Sequence, residues 1–138
     1  MNAPNSKTII PIDWQSKKLS RVTKSPLASE TMALNESADA SYLLAMMLKE
    51  LFRRESMPRI VCVTDSKSLA DTVKTSNVTK DLRLRVEIAR LREMVDDEEI
   101  EVKWVEGKYQ LADCLTKKGA SSNKLLDVLE SSTLPQLY

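Results

Sequence analysis

Histidine is absent from these 138 residues. That excludes His-based catalytic triads, imidazole proton relays and most zinc sites. Carboxylates are left as the strongest candidates for catalytic or metal-binding groups. Only two glycines occur, so no Gly-rich loop can cradle a phosphate. Cysteine is equally scarce. Cys62 and Cys114 stand far apart in apolar surroundings, which argues against a disulfide scaffold and for a reducing compartment. No apolar run is long enough to span a membrane, and none reads as a secretory signal. A net charge of +1 offers no bulk case for nucleic-acid binding, so such a case must rest on local patches. No internal repeat is visible.

What is present is ordinary for a folded domain: 42% apolar and 30% charged residues. A chain of this length reads as one domain, burying about two thirds of its unfolded surface. Residues 1–7 are expected to be a disordered start, 8–130 the domain and 131–138 a flexible tail. The centre of the chain is Arg59-Ile60-Val61-Cys62-Val63-Thr64-Asp65-Ser66-Lys67-Ser68-Leu69. Its continuous β-prone apolar run predicts a buried strand, followed at once by a helix over about 66–75. Thr64, Asp65 and Ser66 can all cap that helix. The strand's carboxyl end, where α/β sheets gather their sites, is Asp65.

Upstream, Thr8 to Trp14 is a plausible strand, with Pro11 arguing for an edge or a bulge. Lys17, Lys18, Arg21 and Lys24 make a basic loop, which by itself is a solvated surface. Ser25-Pro26 predicts the start of a helix running to about Arg53. Leu27, Leu34, Ala38, Ala45 and Leu48 form its inward stripe. Glu30 falls on that stripe by spacing, where an unpartnered carboxylate costs several kcal/mol. The alternative is a Glu30 that sits near the helix start, partly solvated and favoured by the dipole. Downstream, Lys80 to Val95 is a helix with Leu84, Ile88, Leu91 and Val95 inward. The acidic run Asp96-Asp97-Glu98-Glu99 ends it. Ile100 to Val105 alternates as a strand, with Ile100, Val102 and Trp104 on one face. Gln110 to Lys117 begins a last helical region, resumed over 122–130. Strand, helix, strand, helix, helix, strand, helix is an α/β layout with a short parallel sheet covered by helices.

Three separated carboxylates stand out: Glu30, Asp65 and Asp113. Converging carboxylates without histidine suit Mg²⁺ or Mn²⁺. Two such ions roughly 3.5–4 Å apart can activate water and stabilise the leaving oxygen in phosphodiester hydrolysis.

Four stretches in order carry a resemblance. They are Ile12-Asp13-Trp14-Gln15-Ser16-Lys17-Lys18, Ser29-Glu30-Thr31-Met32-Ala33-Leu34, Val63-Thr64-Asp65-Ser66-Lys67-Ser68-Leu69, and Gln110-Leu111-Ala112-Asp113-Cys114-Leu115-Thr116-Lys117. Together they resemble the ribonuclease H domain of copia-type retrotransposon Pol polyproteins over about residues 8–130. The resemblance implies a ribonuclease H-like α/β fold, a mixed sheet flanked by helices, here lacking the family's first two strands. It implies two-metal hydrolysis of the RNA strand of RNA–DNA hybrids, with Glu30, Asp65 and Asp113 as catalytic residues and metal ligands. Lys17, Lys18, Ser66 and Lys67 are the candidate contacts to the nucleic-acid backbone. Two Mg²⁺ ions are the implied cofactors. The implied partners are the hybrid and the reverse transcriptase portion of the same polyprotein, with no membrane. The implied setting is intracellular, in cytoplasmic element particles, with the nucleus as the other compartment.

The family's first carboxylate, which bridges both metals, has no counterpart here. Asp13 is the only acid before Glu30, and the resemblance puts it on the third strand, away from the metals. Weak or absent turnover is therefore expected, together with an unpaired edge along 59–64 through which the chain could self-associate. The Thr8 to Trp14 strand is the other candidate to fill that edge. The alternatives are a catalytically inactive binding module that keeps the fold, and an α/β domain whose acids are caps and surface charges.

Overall fold

In a computed structural model the residues described are 7–75 and 79–134. Residues 1–6 of the expected disordered start, 135–138 of the expected flexible tail and most of the polar link at 76–79 lie outside them; within the tail, Ser131 ends a helix and Thr133–Leu134 is in a strand. The chain divides into two compact units, one of residues 19–104 and one of residues 1–18 with 105–138. It is a mixed α/β structure in which helix predominates and the main sheet is small and parallel.

The larger unit begins with α1, Pro26–Leu51. Its start is where local chemistry demands: the Ser25 hydroxyl accepts from the Ala28 N–H at 3.1 Å, and Pro26 occupies the first turn. Arg53, at φ 48°, turns the chain away just past its end. Strand β1, Ile60–Thr64, and strand β2, Ile100–Trp104, pair in parallel, with Ile60 opposite Ile100 and Thr64 opposite Trp104. Two helices lie between them, α2 (Lys67–Lys74) and α3 (Leu82–Asp96), which supply the long crossover that parallel strands require. Asp81 caps α3 by accepting from the Arg83 N–H at 2.9 Å. Glu98, at φ 57°, closes the turn into β2.

One face of each element meets in a core containing Leu34, Ala38, Ile60, Leu69, Leu91 and Val102. Cys62 belongs to it, and burial pushes its thiol up from 9.0 to about 11. The unfolded chain releases that proton near the ordinary value, the folded chain only near the raised one. Across that window the native state binds more protons, so stability falls as pH rises through it. The expected loss is about 2–3 kcal/mol. Urea unfolding at about pH 8 and about pH 11 should show a drop that Cys62→Ala does not share. Equal drops in both chains would contradict the assignment.

The second unit holds a two-residue antiparallel pair, β3 (Lys7–Thr8) against β4 (Thr133–Leu134). It also holds the short helix α4 (Asp113–Thr116) and the helix α5 (Asn123–Ser131). The expected strand over Thr8 to Trp14 is corrected here, because only its first residue is in a strand. Pro11 has no N–H to give a ladder. Ile10, Ile12 and Trp14 remain 82%, 56% and 70% exposed. A strand forms only where a partner accepts its backbone bonds; the Ile9 N–H reaches the Ser132 carbonyl at 2.8 Å, and among the described residues the ladder goes no further. Nor does this segment fill the edge beside residues 59–64. Its strand partner is Thr133–Leu134.

Candidate nucleic-acid interface

Asp65 is half-buried and follows the last residue of β1 directly. It therefore stands at the carboxyl end of a parallel strand, as its place in the sequence predicts. The residue that caps α2 is Ser66, whose hydroxyl accepts from the Leu69 N–H at 3.3 Å. The N-cap position of α2 is thus Ser66 and not Asp65. The Asp65 backbone carbonyl accepts from the Trp104 indole N–H at 3.1 Å, tying the ends of β1 and β2 together. The ammonium of Lys67 lies 5.8 Å from the centroid of the Trp104 ring. Asp65, Ser66, Lys67 and Trp104 thus form one polar cluster at the end of the parallel pair. Trp104 was missed in the sequence as a member. By alternation it shares a face with buried Ile100 and Val102, yet it is 43% exposed because the strand ends there.

Glu30 is corrected. It is exposed, not inward. The buried arc of α1 is Thr31, Leu34, Asn35, Ala38 and Ala45. At roughly 100° per residue, Glu30 lies about 80° from the middle of that arc. Two polar residues shift the arc away from it. Thr31 is buried because its hydroxyl donates to the Leu27 carbonyl at 2.6 Å. Asn35 is buried because its amide donates to the Glu87 carbonyl at 3.1 Å and to the Glu87 carboxylate at 2.9 Å. Its own amide oxygen is buried with no hydrogen-bond partner.

Asp113 is the first residue of α4, in the other unit. Its carboxylate is 2.7 Å from Lys117 Nζ, one helical turn on. Lys17 and Lys18 are exposed and belong to that same unit. Of the residues expected to form the site, the structure brings together Asp65, Ser66 and Lys67. Among the described residues, no group of three or more carboxylates or cysteines gathers as a metal site. Carboxylates are the right donors for Mg²⁺; Glu30 and Asp65 belong to one unit and Asp113 to the other.

A second feature lies in the same unit as Asp65. A cleft of about 390 Å³ runs between the basic loop before α1 and the start of α3. Its cations are Arg21, Lys24 and Arg83. Of its two acids, Asp81 is engaged in capping α3, and Glu87 is held by Asn35 and lies 3.5 Å from Arg21. The net charge of the lining is positive. Among the α3 arginines only Arg83 lines it. Arg85 donates to the Thr79 carbonyl, Arg92 to the Thr72 carbonyl, and Arg90 pairs with Asp39 at 2.6 Å. Arg21 and Lys24 were visible in the sequence as members of the basic loop. Nothing there indicated that Arg83 joins them.

No family model, no curated protein and no solved structure matches the chain.

Proposed function

We propose that this chain is a ribonuclease H-type domain of a copia-type retrotransposon Pol polyprotein. In this reading it binds RNA–DNA hybrids, and its family reaction is impaired. The reading is carried by the four ordered motifs around Trp14, Glu30, Asp65 and Asp113. It is supported by the position of Asp65 at the carboxyl end of a parallel strand, beside Ser66 and Lys67. The cationic cleft supports it independently, because lysine and arginine position phosphates without reading sequence. Two bound Mg²⁺ ions would supply the charge that activates water in the family's hydrolysis of the RNA strand. Glu30, Asp65 and Asp113 are the residues proposed to hold them. The chain's own basic groups bind and orient the strand.

A second reading, a hybrid-binding module without turnover, is favoured by the cationic cleft, which can hold phosphates without any reaction. Incubation with an end-labelled RNA–DNA hybrid in Mg²⁺ and in Mn²⁺ separates the two. The enzyme reading predicts slow cleavage of the RNA strand alone, abolished by Asp65→Asn in a chain that still binds. Binding without cleavage would establish the second reading. A cooperatively melting sample that neither binds nor cleaves would overturn both.

A further inference from the structure

Trp104 is the feature of this surface that the proposed function does not use. A large apolar ring at the end of a strand, 43% exposed, is more costly to leave in water than almost any other side chain. Its orientation is also fixed: the indole N–H is committed to the Asp65 carbonyl at 3.1 Å. A cation stands over one face of the ring, Lys67 Nζ being 5.8 Å from its centroid, which leaves the other face to a base. Lys67 is exposed and lies in the first turn of α2, next to the hydroxyls of Ser66 and Ser68. A fixed aromatic surface with an exposed ammonium over one face is the chemistry of a nucleotide: a base has a face to stack, and its phosphate a charge to pair.

We infer that Trp104 and Lys67 form a nucleotide subsite, the indole taking an unstacked base and the ammonium its phosphate. The inference rests on the nucleic-acid partner of the proposed function and extends it. Duplex bases are stacked inside the helix, so this subsite takes a single-stranded or frayed nucleotide beside Asp65. Base–aromatic stacking is tolerant of sequence, so the subsite distinguishes base from no base and not one base from another.

The test uses the chain with Trp14→Phe, in which Trp104 is the remaining tryptophan. Two probes are titrated into it: a single-stranded hexathymidylate and an abasic oligomer of the same length. The thymidylate should quench Trp104 fluorescence, and the abasic oligomer should not. Trp104→Leu should weaken thymidylate binding about fivefold or more and leave abasic binding unchanged. Trp104→Phe should restore most of that loss, and Lys67→Gln should weaken both probes. A folded Trp104→Leu chain that binds thymidylate like its parent would overturn the inference. If leucine prevents folding, the quenching comparison decides: equal quenching by both probes, or none, overturns it. Binding of an RNA–DNA hybrid by the parent is measured alongside. Hybrid binding together with thymidylate binding that does not depend on Trp104 defeats the subsite alone. Failure to bind either hybrid or thymidylate defeats the proposed function as well.

Discussion

Leu91→Ala should destabilise the larger unit by about 2–5 kcal/mol, the usual cost of emptying a well-packed leucine site. Leu91 is 0% exposed and sits in α3 among the same cluster as Leu34, Ala38, Val73 and Met94. Domains of this size are stable by about 5–15 kcal/mol, so the loss is a large share of the whole. The effect is set by packing, so a replacement that keeps the volume should be mild: Leu91→Met is expected to cost less than about 1.5 kcal/mol. Val86 supplies the control on the same helix. It is 66% exposed, and Val86→Ala should fall within about 0.5 kcal/mol of the parent. Urea unfolding of the variants gives the comparison. Similar midpoints for Leu91→Ala and Val86→Ala would mean that α3 does not present the Leu91 face to the sheet.

Removing the cleft's cations together should have the largest effect on binding. The combined variant Arg21→Gln, Lys24→Gln, Arg83→Gln is expected to lose hybrid affinity on the order of a hundredfold at about 0.1 M salt. Each phosphate contact contributes roughly 0.9 to the slope of log affinity against log salt, so that slope should shrink by about 2–3. Arg21 contributes least, because Glu87 lies 3.5 Å from it. A matched control removes charge elsewhere: Arg53 and Arg54 follow the far end of α1, on the order of 40 Å along the helix from the cleft. Arg53→Gln with Arg54→Gln should leave the slope nearly unchanged. Equal losses in the two variants would reduce the cleft to one part of a diffuse positive field.

The parts of the fold that local chemistry decides are legible in the sequence. Ser25 and Pro26 start a helix whatever surrounds them, and α1 begins there. The β-branched run 60–64 and the alternating stretch 100–104 become the parallel pair, and the intervening helices supply the crossover. What depends on distant partners was not legible. The segment through Ile10, Ile12 and Trp14 has strand composition but remains exposed outside a ladder. Apolar spacing points Glu30 inward because it reports the direction of a stripe and not its width; the residue is exposed. Thr31 and Asn35, polar and therefore invisible to that spacing, occupy the buried arc through their own hydrogen bonds. The place of Asp65 at the end of β1 is legible because a strand end followed by a cap is written in adjacent residues. Arg83 was not recognised beside Arg21 and Lys24, because nothing local joins positions so far apart in the chain.

Titration of a fluorescently labelled RNA–DNA hybrid with the folded chain, across a series of salt concentrations, tests the central claim most directly. The account predicts saturable binding whose affinity falls steeply with salt and falls less steeply in the cleft variant. A cooperatively melting chain that ignores the hybrid, or binds it with no dependence on salt, would contradict it.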